Sequence, residues 1–201
     1  MTTTGKRATT GVLTGSREPL AVEFANTLYA VRGRQRDGIA TPDQLAAWLS
    51  EHAAALGAGE DEPLTVAQPT TAEVADFVAL RDAVRGLIRA AAGEDEVREA
   101  DVTGVNAAAA IAPVWPVLRH GEDGFSSVEA TDHPRLPAAL AALARSAVGL
   151  LTGPTRTDLR ACHGPGCVLF FVKDHPRREW CGAPCGNRAR AARHYQRHRE
   201  G

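Results

Sequence analysis

The chain has 201 residues, enough for one medium domain or for a domain carrying a small appendage. Hydrophobic residues make up 44% and aromatic residues only 5%, so the core should be alanine-rich, helical and closely packed, and no apolar run approaches the length of a bilayer span, which argues against a membrane protein. The net charge of −1 conceals an asymmetry: residues 154 to 201 hold ten Lys and Arg against four Asp and Glu, a net +6, which leaves thirteen against twenty, a net −7, for the remainder. A basic end attracts a phosphate backbone and an acidic body repels it, although a merely solvated cationic helix is the plainer reading.

Residues 1–15 are rich in Thr and Gly without periodicity and read as a mobile tail. The opening MTTTGKRATTGVL has no apolar signal core, so a cytoplasmic, reducing location is expected. From Ser16 the spacing of Leu20, Phe24, Leu28 and Val31 predicts one helix face leading to a basic exit between Gly33 and Gly38. Thr41-Pro42-Asp43-Gln44 supplies an N-cap, a first-turn proline and a capping-box partner for a second helix with Leu45, Trp48, Leu49 and Leu56 on its apolar face.

A polar linker over 57–69 leads to Thr70-x-x-Glu73 and the most strongly periodic helix, whose face comprises Val74, Phe77, Leu80, Val84, Leu87, Ile88 and Ala91. Arg81 projects into the middle of that arc. An unpaired guanidinium there is costly, so it needs an internal carboxylate, a route to solvent or a bound anion. A weaker helix over Asp101–Ile111 places Asn106 beside Val102 and Ala109 on its inner face, where it could line the same pocket as Arg81 for a small anionic ligand. Val114–Arg119 and Phe125–Ala130 flank His120-Gly121-Glu122-Asp123-Gly124 as a β-hairpin, with Trp115-Pro116 marking an edge strand. Leu136, Leu140, Leu143, Ala147 and Leu150 then define a last packing helix, stopped by Gly153 and Pro154. That stop divides the chain into a helical domain over 16–153 and a small C-terminal unit over 154–201.

All four cysteines lie in the C-terminal unit: Cys162 and Cys167 form C-x4-C, Cys181 and Cys185 form C-x3-C, and thirteen residues separate the pairs. Four thiolates suit one tetrahedral zinc ion with no cysteine left over. Two disulfides would require an oxidising compartment. A site using Cys181, Cys185, His194 and His198 would leave Cys162 and Cys167 unused, and its middle spacer is short. After the first pair, Val168–Lys173 reads as a strand, His175-Pro176 as a turn and Arg178–Trp180 as a return strand, followed by a helix with Pro184 in its first turn. On that helix Ala189, Ala192 and Tyr195 can pack inward while Arg190, Arg193 and Arg197 fall on another face. The expected fold is therefore mainly α: a helical N-terminal domain with a small β-hairpin, followed by a treble-clef-like zinc finger.

WCGAPCGNRARAARHYQRHR, preceded by RACHGPGCVLFF, resembles the CGNR zinc finger found at the C-terminus of bacterial regulators. The tetrapeptide Cys185-Gly186-Asn187-Arg188 is intact, with three residues rather than the commoner four between the second pair of cysteines. LAVEFANTLYAVRG, TPDQLAAWL and LRDAVRGLIRAA in turn resemble the ABATE domain, which commonly precedes such fingers, with Asn26-Thr27 and Trp48 at its characteristic positions. The resemblance implies a stress-induced transcription regulator that binds DNA. On the expected first helix Asn26 falls off the apolar face and Thr27 falls on it.

The leading reading is a non-enzymatic regulator whose zinc ion is structural. A 48-residue unit is marginal alone, and zinc can contribute about 10–16 kcal/mol of apparent binding energy to folding. Arg190, Arg193 and Arg197 would engage phosphates, while Asn187 and Arg188 would either approach bases or brace the zinc knuckle. Half-site recognition by one finger is weak, which leaves a homodimer open. A nuclease using His163 or His175 as general base is disfavoured because four cysteines close the metal to water. A protein-interaction module is the other alternative, and its binding should be less sensitive to salt.

Overall fold

Two capping boxes begin the helices that the sequence marks most clearly. Thr41 Oγ1 accepts from the Gln44 amide at 3.3 Å while Gln44 Oε1 accepts from the Thr41 amide at 3.1 Å. Thr70 and Glu73 repeat the exchange at 3.2 and 2.7 Å, and the Thr70 amide holds the Glu73 carboxyl below its usual range. Each box satisfies two backbone amides that the start of a helix leaves without intrahelical partners. The computed structural model describes residues 18–57 and 68–199; the expected tail over 1–15 and most of the linker over 57–69 lie outside them.

Among the described residues the architecture is mainly α with small antiparallel strand pairs. Helix α1 (Leu20–Ala25) leads to the hairpin β1 (Leu28–Val31) and β2 (Arg34–Asp37), then α2 (Pro42–Glu51), α3 (Thr71–Ala91) and α4 (Glu99–Ala110). The hairpin β3 (Trp115–Gly121) and β4 (Gly124–Ala130) precedes α5 (Arg135–Thr152), β5 (Leu159–Ala161), β6 (Phe170–Val172) and α6 (Ala183–Arg199). Helices α1, α3, α4 and α5 meet around Phe24, Phe77, Val84, Ile88, Val105, Leu143 and Ala147, all buried. Trp48 of α2 covers this core, with its ring 5.5 Å from Phe24 and stacked on His52.

The helix expected to continue through Val31 ends at Ala25. Thr27 folds its hydroxyl back onto the Phe24 carbonyl at 2.8 Å, and Arg32 and Gly33 take φ of 51° and 75°, which turns Leu28–Val31 back onto Arg34–Asp37. Successive positive φ values make the tight turn that matches strand twist, and an Arg-Gly pair does not advertise it.

Arg81 is 2% exposed; Nη2 lies 2.9 Å from Asp82 Oδ1, and Nη1 lies 2.7 Å from Asp37 Oδ1, an ion pair by distance without hydrogen-bond alignment. It thereby ties α3 to the end of β2. Asn106 is exposed, contrary to its expected inward position. The inner line of α4 is Asp101, Val105 and Ala108. The rotation follows from Asp101, which pairs with Arg98 at 2.8 Å and fills the notch over Gly86, where a Cβ would come within 2.1 Å of its Oδ2.

The hairpin β3–β4 forms in the expected place, with Trp115 opposite Ala130. The expected return strand over Arg178–Trp180 does not form: β6 pairs with β5, Leu159 opposite Val172, so the ladder brackets the first cysteine pair. On α6, Ala189 is buried, whereas Tyr195, expected to pack inward, is 71% exposed. The helix has left the body by that point.

Leu159, Phe170 and Val172 belong to the same core as the helices. The join is polar as well as apolar. Asn26 Nδ2 donates to the Phe170 carbonyl at 2.9 Å and Oδ1 accepts from the Phe170 amide at 2.8 Å, so a side-chain amide pairs with β6 as a neighbouring strand would. Glu18 accepts from the Val172 amide at 2.9 Å and from Arg178. Arg85 donates to the carbonyls of Ala25 at 2.6 Å, Leu28 at 3.3 Å and Val168 at 2.8 Å, and lies over the Phe170 ring. Burial pulls its guanidinium down to about 10, still charged near neutrality. Asn26→Ala should therefore destabilise the zinc-loaded protein by about 1–3 kcal/mol, since two bonds vanish and the Phe170 amide and carbonyl lose their partner. Chemical denaturation reads the shift, and an unchanged midpoint would show that the clamp contributes nothing.

Candidate metal centre

The ladder β5–β6 delivers the first two cysteines. Cys162 follows β5 directly and its amide donates to the Leu169 carbonyl at 2.9 Å; the loop then turns through Gly166 at φ 69°, and the Cys167 amide closes onto the Gly164 carbonyl at 2.8 Å. Cys181 stands just before α6 and Cys185 in its first turn, where the Cys185 and Gly186 amides both donate to the Gly182 carbonyl. All four sulfurs lie within 4.8 Å of one another.

The Cys167 and Cys181 sulfurs are 3.8 Å apart and those of Cys181 and Cys185 are 3.4 Å apart. A disulfide needs about 2.05 Å, and none of the four cysteines is in one. Four sulfurs at about 2.3 Å around a tetrahedral zinc ion would be about 3.8 Å apart, so the spacing fits one ion. Among the described residues no histidine joins the cluster. The site with His194 and His198 as partners is thereby set aside.

Sulfurs this close cannot all ionise without a cation among them. Hydrogen bonds from Cys167 and Cys181 hold Cys162 far below the thiol range, while Cys181, as donor, is driven far above it and burial pushes Cys185 up to about 12. The chain supplies donors to the sulfurs: the Cys181 amide to Cys162 Sγ at 3.4 Å and Arg188 Nη2 to Cys185 Sγ at 3.0 Å. A second small core of Cys162, Phe171 and Cys185, with Trp180 packed against it, shields the centre. Gly164 lets the knuckle touch α6, because a Cβ there would lie 2.8 Å from Cys185 Cβ, and Gly186 is pressed beneath the Trp180 ring.

The residues expected at a nucleic-acid interface divide into two groups. Arg188 is engaged on Cys185 and so braces the centre, whereas Asn187 Oδ1 accepts from Arg190 on the same helix face. Arg190, Arg193 and Arg197 are exposed on α6 and line a shallow groove with Ala191, His194 and Gln196. Arg81 and Asn106 are separated by burial, the first inside the core and the second on the surface. The sequence reading missed Gly164, Arg85 and Arg178 as parts of the site. The first two have no local signal; Arg178, which supports Phe171 from 4.9 Å and bonds Glu18, lies where the sequence predicts a strand.

A mainly helical body joined to a basic helix through a four-cysteine centre defines a protein with a zinc finger at its C-terminal end. Residues 18–154 match the model of the ABATE family, described as "putative stress-induced transcription regulator", and residues 159–198 match the CGNR zinc finger. The chain belongs to the ABATE family, with one zinc ion as the cofactor of its finger. No curated protein matches it. Among the described residues no helix is long and apolar enough to cross a membrane.

Two outcomes follow from the geometry of the centre. Gly164→Ala should lower zinc affinity by about 10- to 100-fold, the usual effect of disturbing the shell behind metal ligands; competition with a chromophoric chelator reads it, and unchanged affinity would refute the packing argument. Acidification should release the ion. In the metal-free site Cys181 and Cys185 keep their protons near neutrality, and binding must displace them, so affinity falls about tenfold per pH unit for each proton displaced. Zinc release measured between pH 8 and pH 5 should rise monotonically as pH falls, and pH-independent retention would contradict the ligand set.

Proposed function

We propose that this protein is a DNA-binding transcription regulator in which zinc shapes the finger and the exposed part of α6 contacts phosphates. The observation that carries this reading is the helix itself. Residues 193–198 are exposed on every side, Arg190, Arg193 and Arg197 project from it, and no Asp or Glu occurs between Ala183 and Arg199. A cationic rod that leaves the body can enter a groove without the acidic domain obstructing it. The knuckle followed by a helix with one of the other ligands just before it and the second in its first turn favours a treble-clef-like finger, and four sulfurs around one ion favour a structural role for the metal.

Arg188 then acts as a brace on Cys185 and Asn187 steadies Arg190, leaving phosphate contacts to Arg190, Arg193 and Arg197. In the body, the pairing of Arg81 with Asp37 and Asp82 favours a scaffold that orients the finger over an anion pocket shared with Asn106. A homodimer would add a second finger and a second half-site. Protein contact is a second reading with its own support, because β3–β4 exposes Leu118 at 71% and Phe125 at 75%.

Anisotropy titrations of the full chain on duplex DNA at several salt concentrations test the proposal. Affinity should fall steeply with salt, and Arg193→Gln with Arg197→Gln should weaken binding and reduce the magnitude of the log–log slope by about 2, close to one per lost phosphate contact. Binding that ignores both salt and the double substitution would overturn it in favour of a protein-contact module.

A further inference from the structure

The exposed part of α6 carries a feature that the zinc centre does not use. His194 and His198 stand one helical turn apart, their Nε2 atoms are 3.1 Å from each other, and both rings are exposed. The ring centroids are only 4.4 Å apart at an interplanar angle of 56°, closer than two nitrogens meeting head-on would allow, so the Nε2 directions are angled across one another. We propose that this pair is a second metal site, a bidentate chelate for a divalent ion of the nitrogen-preferring class that includes nickel, copper and zinc.

Imidazole nitrogens bind such ions at about 2.0–2.1 Å. Two nitrogens 3.1 Å apart then subtend about 98° at the ion, between octahedral and tetrahedral bites, so the printed separation serves either geometry. The helix already sets the i,i+4 spacing and the surface is open to entry; the two Nε2 atoms share a hydrogen bond, so the proton on one of them moves to its Nδ1 or to water as the ion takes its place. Arg190, Arg193 and Arg197 repel a cation from the same helix, which disfavours weakly nitrogen-bound ions such as magnesium and calcium and leaves those that gain most from imidazole. Two protein ligands leave further positions for water or for a phosphate oxygen, so a bound ion would add positive charge where the arginines already stand.

The probe is nickel chloride, titrated calorimetrically into the zinc-loaded full chain. The expected result is one nickel per chain in addition to the retained zinc, with affinity reduced at least tenfold in His194→Ala and in His198→Ala alike, because either change turns a chelate into a single ligand. Alanine keeps the helix, and unchanged zinc content together with unchanged circular dichroism verifies that the finger survives. Nickel binding of the same affinity in the double variant would assign it to other histidines and overturn the proposal, as would the absence of any binding event beyond zinc.

Discussion

The side chain of Asn26 does the work of a missing strand. The ladder β5–β6 has only three residues in each strand, too few to order itself in water, and its outer edge would leave the Phe170 amide and carbonyl without partners. Asn26 satisfies both from the end of α1, Glu18 satisfies the Val172 amide, and Arg85 gathers carbonyls from Ala25, Leu28 and Val168. Helical body and zinc knuckle are thereby built on one set of hydrogen bonds. Phe170 and Val172 face the helices while Phe171, between them, faces the cysteines, as alternation along a strand requires.

The metal centre depends on that platform in a definite order. The ladder sets the positions of Cys162 and Cys167, the loop through Arg178 returns the chain to Cys181, and Gly164 lets the knuckle meet the first turn of α6. Like charges at this separation need a cation, and the amide and guanidinium donors around the sulfurs lessen the remaining negative charge. What zinc secures is the direction of α6. Past Ala192 that helix touches little else, so its arginines are aimed by the four sulfurs at its root.

Arg81 and Arg85 lie four residues apart on α3 and have different uses. Arg81 meets carboxylates from β2 and from its own helix and closes the core on the hairpin side; Arg85 donates to carbonyls and lies over an aromatic face, and closes it on the finger side. A planar guanidinium with several donors suits both. Two of the body's carboxylates, Asp37 and Asp82, are thus paired with Arg81.

Local chemistry was enough to determine the cysteine set, the capped starts of α2 and α3, the hairpin β3–β4 and the cationic face of α6, because each depends on residues close in the chain: ligand spacing, Thr-x-x-Gln and Thr-x-x-Glu boxes, and helical periodicity. Tertiary structure alone decided the rest. Leu20, Phe24, Leu28 and Val31 satisfy a helical period, yet the chain turns after Ala25 because Asn26 is needed at Phe170, 144 residues away. The inner face of α4 was set by Asp101 over Gly86, and the partner of β6 by a strand preceding the knuckle. Hydrogen-bond satisfaction between distant segments leaves no periodic trace, so it becomes visible only when the segments meet.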